Sequence, residues 1–162
     1  MKSFLRKFLL IILPCSFAIY IVSCNLKKST TVVLDTAAKP FDKLSDYNFF
    51  GGNMHDLKPN PRVVPYDLIT PLFTDYAHKA RFVYMPEGKS AQYYTTSVLQ
   101  LPVGACLIKN FYYPADFRKP DEKNRIIETR LLVHCAEGWD ARDYVWNDEQ
   151  TEAKSESAGY IK

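Results

Sequence analysis

Residues Arg125 to Cys135 read RIIETRLLVHC, and this stretch decides the fold. Ile127, Thr129, Leu131, Val133 and Cys135 fall on one side of an extended chain, while Glu128, Arg130 and His134 fall on the other. Alternation of period two marks an antiparallel strand with one face on a core and the other toward water. Working outward, a charged loop from Pro114 to Asn124 separates this strand from another apolar run, Ala105 to Tyr113. Two more runs lie upstream. Ala91 to Leu101 is rich in Tyr, Thr and Val, and Ala80 to Met85 precedes it across a Pro86-Glu87-Gly88-Lys89 turn. Pro102-Val103-Gly104 supplies the next turn. Downstream, Gly138 interrupts the pattern and Tyr144 to Trp146 makes a short fifth strand. Several short strands with regular turns predict a mainly β domain, an antiparallel β-sandwich or open barrel.

The segments before the strands read differently. Phe41, Leu44, Tyr47 and Phe50 fall three apart and predict a short N-terminal helix, which Gly51-Gly52 ends. Asp56 to Phe73 holds Pro59, Pro61, Pro65 and Pro71 and predicts a long, extended, Pro-rich loop. Asn25 to Lys39 is mostly polar and reads as a tether. The chain carries 11 Tyr, 10 Phe, 2 Trp and 10 Pro, which favours strands and ordered loops over long helices.

The start of the chain carries an address. Lys2, Arg6 and Lys7 precede an apolar run from Phe8 to Val22 that Pro14 interrupts. The run is shorter than the ~20 residues a membrane-spanning helix needs, so it reads as a secretory signal. It ends in Ile21-Val22-Ser23-Cys24. That resembles the lipobox of bacterial lipoproteins, in which the cysteine thiol is acylated and becomes the new N-terminus. Several acyl chains anchor stably where one does not. The resulting layout is a signal over 1–23, a lipidated Cys24 with a tether over 24–39, and one β-rich domain over 40–162. Asn25 stands where an aspartate would favour inner-membrane retention, so the outer membrane is favoured.

Charge excludes one class of partner. The chain has 21 Lys plus Arg against 18 Asp plus Glu, and the excess is Lys2, Arg6 and Lys7 of the leader. The remainder is balanced, so no nucleic-acid-binding surface is indicated.

No P-loop, G-x-G-x-x-G, G-x-S-x-G or C-x-x-C-H motif occurs. His55, His78 and His134 lack the spacing of a helical metal pair, so no catalytic or metal-ligating residue is assigned. Asp148, Glu149 and Glu152 form an acidic run more readily explained as solvated than as a Ca²⁺ site. Cys106 and Cys135 fall near opposite positions of a hairpin centred on the 114–124 loop, a candidate disulfide in an oxidising envelope. The alternative is two small buried hydrophobes. Tyr66, Asp67, Asp75 and Tyr76 in one stretch, and Trp146, Asp148 and Glu149 in another, mix aromatics with acids and form a candidate ligand rim.

These stretches also carry a resemblance. Leu44-Ser45-Asp46-Tyr47, Pro65-Tyr66-Asp67-Leu68, Thr70-Pro71-Leu72-Phe73 and Asp75-Tyr76-Ala77-His78-Lys79 resemble segments of a family of exported bacterial proteins. So do Leu107 to Pro114, Ile127 to Leu132 and Trp146 to Ala153. The family is usually labelled conserved hypothetical or diheme c-type cytochrome, and similar segments are appended to sugar-dehydrogenase-like proteins. The resemblance spans residues 40 to 155. The cytochrome members carry their haem-binding Cys and His residues farther along, so this chain looks like the N-terminal domain of such a protein, a fragment or truncated product. The resemblance implies an envelope location and an envelope redox protein as partner. Haem would belong only to a downstream region, and no cofactor is expected in this chain.

Two functions follow as expectations. The first is a membrane-anchored, non-catalytic interaction or scaffold domain. The alternative is a carbohydrate-binding or carbohydrate-processing lipoprotein, with Tyr93-Tyr94, Tyr112-Tyr113 and Trp146 as stacking platforms. A sugar binder must show such rings together and facing solvent.

Overall fold

The alternating stretch lies at the centre of a sheet. A computed structural model describes residues 29–119 and 124–156; the expected signal and Cys24 lie outside them. Six strands form one antiparallel sheet in sequence order: β1 (Val63–Pro65), β2 (His78–Tyr84), β3 (Cys106–Pro114), β4 (Asn124–Cys135), β5 (Gly138–Trp146) and β6 (Ala153–Ser155). The mainly β, antiparallel expectation holds. The strands make a single open sheet, and no second sheet packs on it among the described residues.

The second layer is the segment expected as a helix. Leu44–Tyr47 and Met54–Asp56 each form a short 3₁₀ turn, and the apolar residues around the first press onto one sheet face. Tyr47 is 1% exposed; it stacks on Phe49 at 5.3 Å and meets Phe41 and Tyr144 edge-on. Phe50 meets Phe82 of β2 at 5.0 Å. Each ring removes a large apolar area from water, and edge-to-face pairs add to that burial. Part of the expected tether joins in. The Val33 amide donates to the Tyr47 carbonyl at 2.9 Å, and Val32 is buried.

On β4, Thr129, Leu131, Val133 and Cys135 face this layer as expected. Ile127 does not. Phe111 pairs with Glu128, but the next residue, Tyr112, pairs with Ile126. Ile127 is therefore the extra residue of a β-bulge, and Ile126 takes the core position. A bulge shifts the face alternation by one residue. The Gln150 side chain then takes both polar groups of the Ile126 backbone, accepting from its N–H at 2.7 Å and donating to its carbonyl at 3.0 Å.

Three other expectations change. Ala91 to Leu101 is no strand; β2 pairs directly with β3, and the intervening chain makes one isolated bridge, Gln92 to Gln100. Its residues have strand-type side chains, but most of them are exposed, and β-propensity without a surface to pack on does not make a strand. Gly138 begins β5 rather than ending the pattern. It pairs with Cys135 across a two-residue turn, at φ 128°, where a side chain would be strained. Lastly, Cys106 pairs with Val133, so Cys135 is its diagonal neighbour two residues on. Both are free, buried thiols on the covered face, and burial pushes the Cys106 thiol well above its ordinary pKa. The expected direct opposition fails because the hairpin register runs two residues short of it.

Candidate functional site

The covered face accounts for the core; the other face carries the charge. Cross-strand pairing sets Arg81 opposite Lys109, Lys109 opposite Arg130, and Arg130 opposite Asp143. Three cations thus stand side by side across β2, β3 and β4. A second row reads Lys79, Phe111, Glu128 and Val145, and a third Val83, Leu107, Leu132 and Ala141. These three rows share one face because residues two apart on a strand point the same way.

Like charges directly opposite each other destabilise a sheet. The surroundings offset this only in part. Glu128 and Asp143 lie 2.6 and 3.8 Å from the Arg130 guanidinium. Lys79 Nζ donates to the Leu72 carbonyl at 2.7 Å. Lys109 and Arg130 sit over the Phe111 ring, 5.1 and 4.9 Å from its centroid, a favourable cation–π arrangement. The Lys109 pKa is nonetheless held below its ordinary value, first by burial and then by Arg130, Lys79 and Arg81.

The Pro-rich loop caps one end of this face. Arg81 lines two hollows, one shared with Tyr66 and Leu68 on the side of the cation rows and one shared with Leu72, Phe73 and Tyr76 on the side of the loop. Burial raises the Tyr66 phenol above its ordinary pKa, while Arg81 opposes that rise. Tyr66 and Leu68 help line a hollow of about 400 Å³ with Arg81, Lys109 and Arg130.

The expected rim does not assemble as one site. Tyr66 belongs to the cationic hollow, and Asp67 beside it is exposed. Tyr76 is exposed and edge-on to Phe73 at 5.4 Å. The Asp75 backbone carbonyl accepts from the Tyr113 hydroxyl at 3.5 Å. Both Asp75 and Tyr76 adopt positive φ, at 43° and 65°, so they shape a turn. Trp146 is 6% exposed, with its indole N–H donating to Thr129 Oγ1 at 2.9 Å. It is a core residue. Asp148 pairs with Arg125, and Glu149 is exposed beside it. Glu152 turns away to accept from the Ser45 hydroxyl at 2.6 Å, so the acidic run disperses into turn contacts. The rings suggested for sugar stacking are also scattered. Trp146 is buried, Tyr112 and Tyr113 are half-buried, and Tyr93 and Tyr94 lie exposed on the excursion between β2 and β3.

The histidines are apart and differently engaged. His55 Nε2 contacts the Asn124 carbonyl, His78 tilts over Tyr112, and His134 stacks on Trp139. With Cys106 and Cys135 buried on the covered face, the described residues do not fit a covalent haem. They also hold no cluster of three metal-ligating side chains.

The cation row escaped the sequence reading because its members come from three separate strands. Only the strand register brings them together. A faint signal existed in β2 and β4, where Arg81 and Arg130 break apolar surroundings. No family model, curated protein or solved structure matches the chain.

Proposed function

We propose that this chain is a non-catalytic binding module of the bacterial cell envelope, anchored through lipid on Cys24. Its uncovered sheet face receives an anionic ligand. The observation that carries this reading is the row Arg81–Lys109–Arg130, set directly opposite one another on adjacent strands. A fold keeps such a destabilising arrangement where the concentrated field is used. Clustered cations raise the local concentration of an anion and steer its approach. The sequence from Lys2 to Cys24 supports export and lipidation, with the outer membrane favoured. The resemblance to the N-terminal part of a diheme cytochrome family supports a place beside an envelope redox protein.

Two results are expected. Cys24→Ser moves the chain from the membrane fraction to the soluble fraction and removes the acyl mass; a variant that stays membrane-bound contradicts the anchor. Neutralising Lys109 and Arg130 to Gln lowers the salt needed to elute the chain from a carboxylate resin. The same change at the exposed Lys58 and Lys89, outside the strand rows of that face, has a much smaller effect. Equal shifts from the two pairs contradict a focused cationic face.

A further inference from the structure

Arg81 is the most buried of the three cations in the row. It is 8% exposed, yet its guanidinium makes no hydrogen bond or ion pair with any described residue. Arg130 has two carboxylates and Lys79 has a carbonyl. A guanidinium cannot shed its charge, and its five donors form a planar fork suited to two oxygens at once. Its nitrogens are not sealed from water, since Asn124 Oδ1 is the one buried side-chain polar atom without a partner among the described residues, so the fork stands open to an incoming acceptor.

The hollow beside it is built from two rows. Arg81, Lys109 and Arg130 form one side, with Asp143 at its far end paired to Arg130, and Leu107, Leu132 and Ala141, one row along the strands, form the other. Successive same-face rows lie about 7 Å apart. A molecule that spans both rows therefore meets charge at one end and an apolar floor at the other. A volume of about 400 Å³ falls in the range of small-molecule sites.

We propose that this hollow binds a small amphipathic carboxylate, its carboxylate gripped by Arg81 with Lys109 beside it and its apolar body resting on Leu107, Leu132 and Ala141. The proposal rests on the uncovered face being the binding surface, and it narrows the ligand to one chemical class. Fork geometry favours a planar carboxylate, for which two parallel N–H···O bonds are available. The apolar row disfavours a bare inorganic anion, which leaves that floor wet. Tyr66, whose phenol stays protonated, closes the hollow beside Arg81.

The test is a titration of the full-length chain, followed by NMR at the Ala141 methyl and the Lys109 side chain. Benzoate is the probe, benzyl alcohol its neutral counterpart, and inorganic phosphate the anion without an apolar body. Benzoate is expected to saturate, with both controls at least about tenfold weaker, as loss of a charged hydrogen bond implies. Arg81→Leu weakens benzoate by a similar factor, and Arg81→Lys falls between. Ala141→Phe fills the apolar side, leaves the charges in place, and also abolishes binding. The amide spectrum of each variant reports whether it folds.

Benzoate binding that survives Arg81→Leu overturns the assignment. So does equal binding of benzyl alcohol or phosphate, or no saturable shift with any probe. The resin experiment decides the broader reading separately, because Lys109 and Arg130 can still focus anions on this face if Arg81 holds none.

Discussion

Tyr47→Ala lowers the stability of the domain by about 4–8 kcal/mol, the largest effect expected of any single substitution. Truncating a buried aromatic ring costs about 3–5 kcal/mol through lost burial and the cavity left behind. Tyr47 adds to this through its hydroxyl. Arg142 Nη1 donates to it at 2.9 Å and the Phe41 amide at 3.2 Å. The Tyr144 hydroxyl gives its own proton to the Phe41 carbonyl at 2.8 Å. The 2.8 Å contact between the two phenols therefore has Tyr47 as the donor. Burial, with the Tyr47 hydroxyl, pushes the Tyr144 phenol far above its ordinary pKa, so this order of donors persists across neutral pH. Removing Tyr47 leaves the buried Arg142 with Asp140 alone as its hydrogen-bonded partner. Losing a partner for such a group costs about 1–3 kcal/mol more. Urea unfolding of the full chain measures the total, and Tyr47→Phe separates the two parts. The phenylalanine variant keeps the packing and loses only the polar share. A Tyr47→Ala chain as stable as the parent would mean that residues 41–60 do not form the second layer.

Thr129→Val comes next, at about 2–6 kcal/mol, although it leaves side-chain volume nearly unchanged. Thr129 lies in a buried cross-strand row between Asn110 and Tyr144. Its hydroxyl donates to Asn110 Oδ1 at 2.6 Å and accepts the Trp146 indole N–H at 2.9 Å. Valine fills the space and satisfies neither group. Each buried polar group so orphaned costs about 1–3 kcal/mol. Thr129→Ser keeps both bonds and loses one methyl, so it is expected to cost only about 1 kcal/mol. Thermal unfolding followed at Trp146 compares the pair. A valine variant no weaker than the serine variant would show that the hydrogen-bond chain contributes nothing to stability.

The central strands were legible in the sequence for a simple reason. β3 and β4 have a clear two-residue alternation, because one side of each packs on a core and the other does not. β1 and β6 are three residues long, too short for any periodicity to stand out. Ala91 to Leu101 misled in the opposite sense: Tyr, Thr and Val suit a strand, yet β2 and β3 had already paired with each other. The covering layer was half legible. Phe41, Leu44, Tyr47 and Phe50 showed the apolar spacing, but nothing local says that such a segment lies across a sheet in place of a second one. The bulge at Ile127 was hidden because isoleucines occupy both 126 and 127, so either register satisfies the pattern. The aromatic–acid stretches caught the eye through composition. In the structure Trp146, Asn147, Gln150 and Glu152 mostly complete the core and hold the β5–β6 turn. The cation row depends on pairing across three strands, which composition cannot reveal.

The most direct measurement is amine acylation of the chain in intact envelopes and after purification, read lysine by lysine by mass spectrometry. In the purified chain Lys109 should react readily, because burial and its cationic neighbours favour the neutral amine. In envelopes Lys79 and Lys109 should be protected several-fold, while Lys58 and Lys89, exposed and outside the strand rows of the binding surface, keep the same reactivity in both. That pattern is the expected result of an anionic ligand seated on the uncovered face. Equal labelling of Lys109 in the two preparations would contradict a binding role for that face.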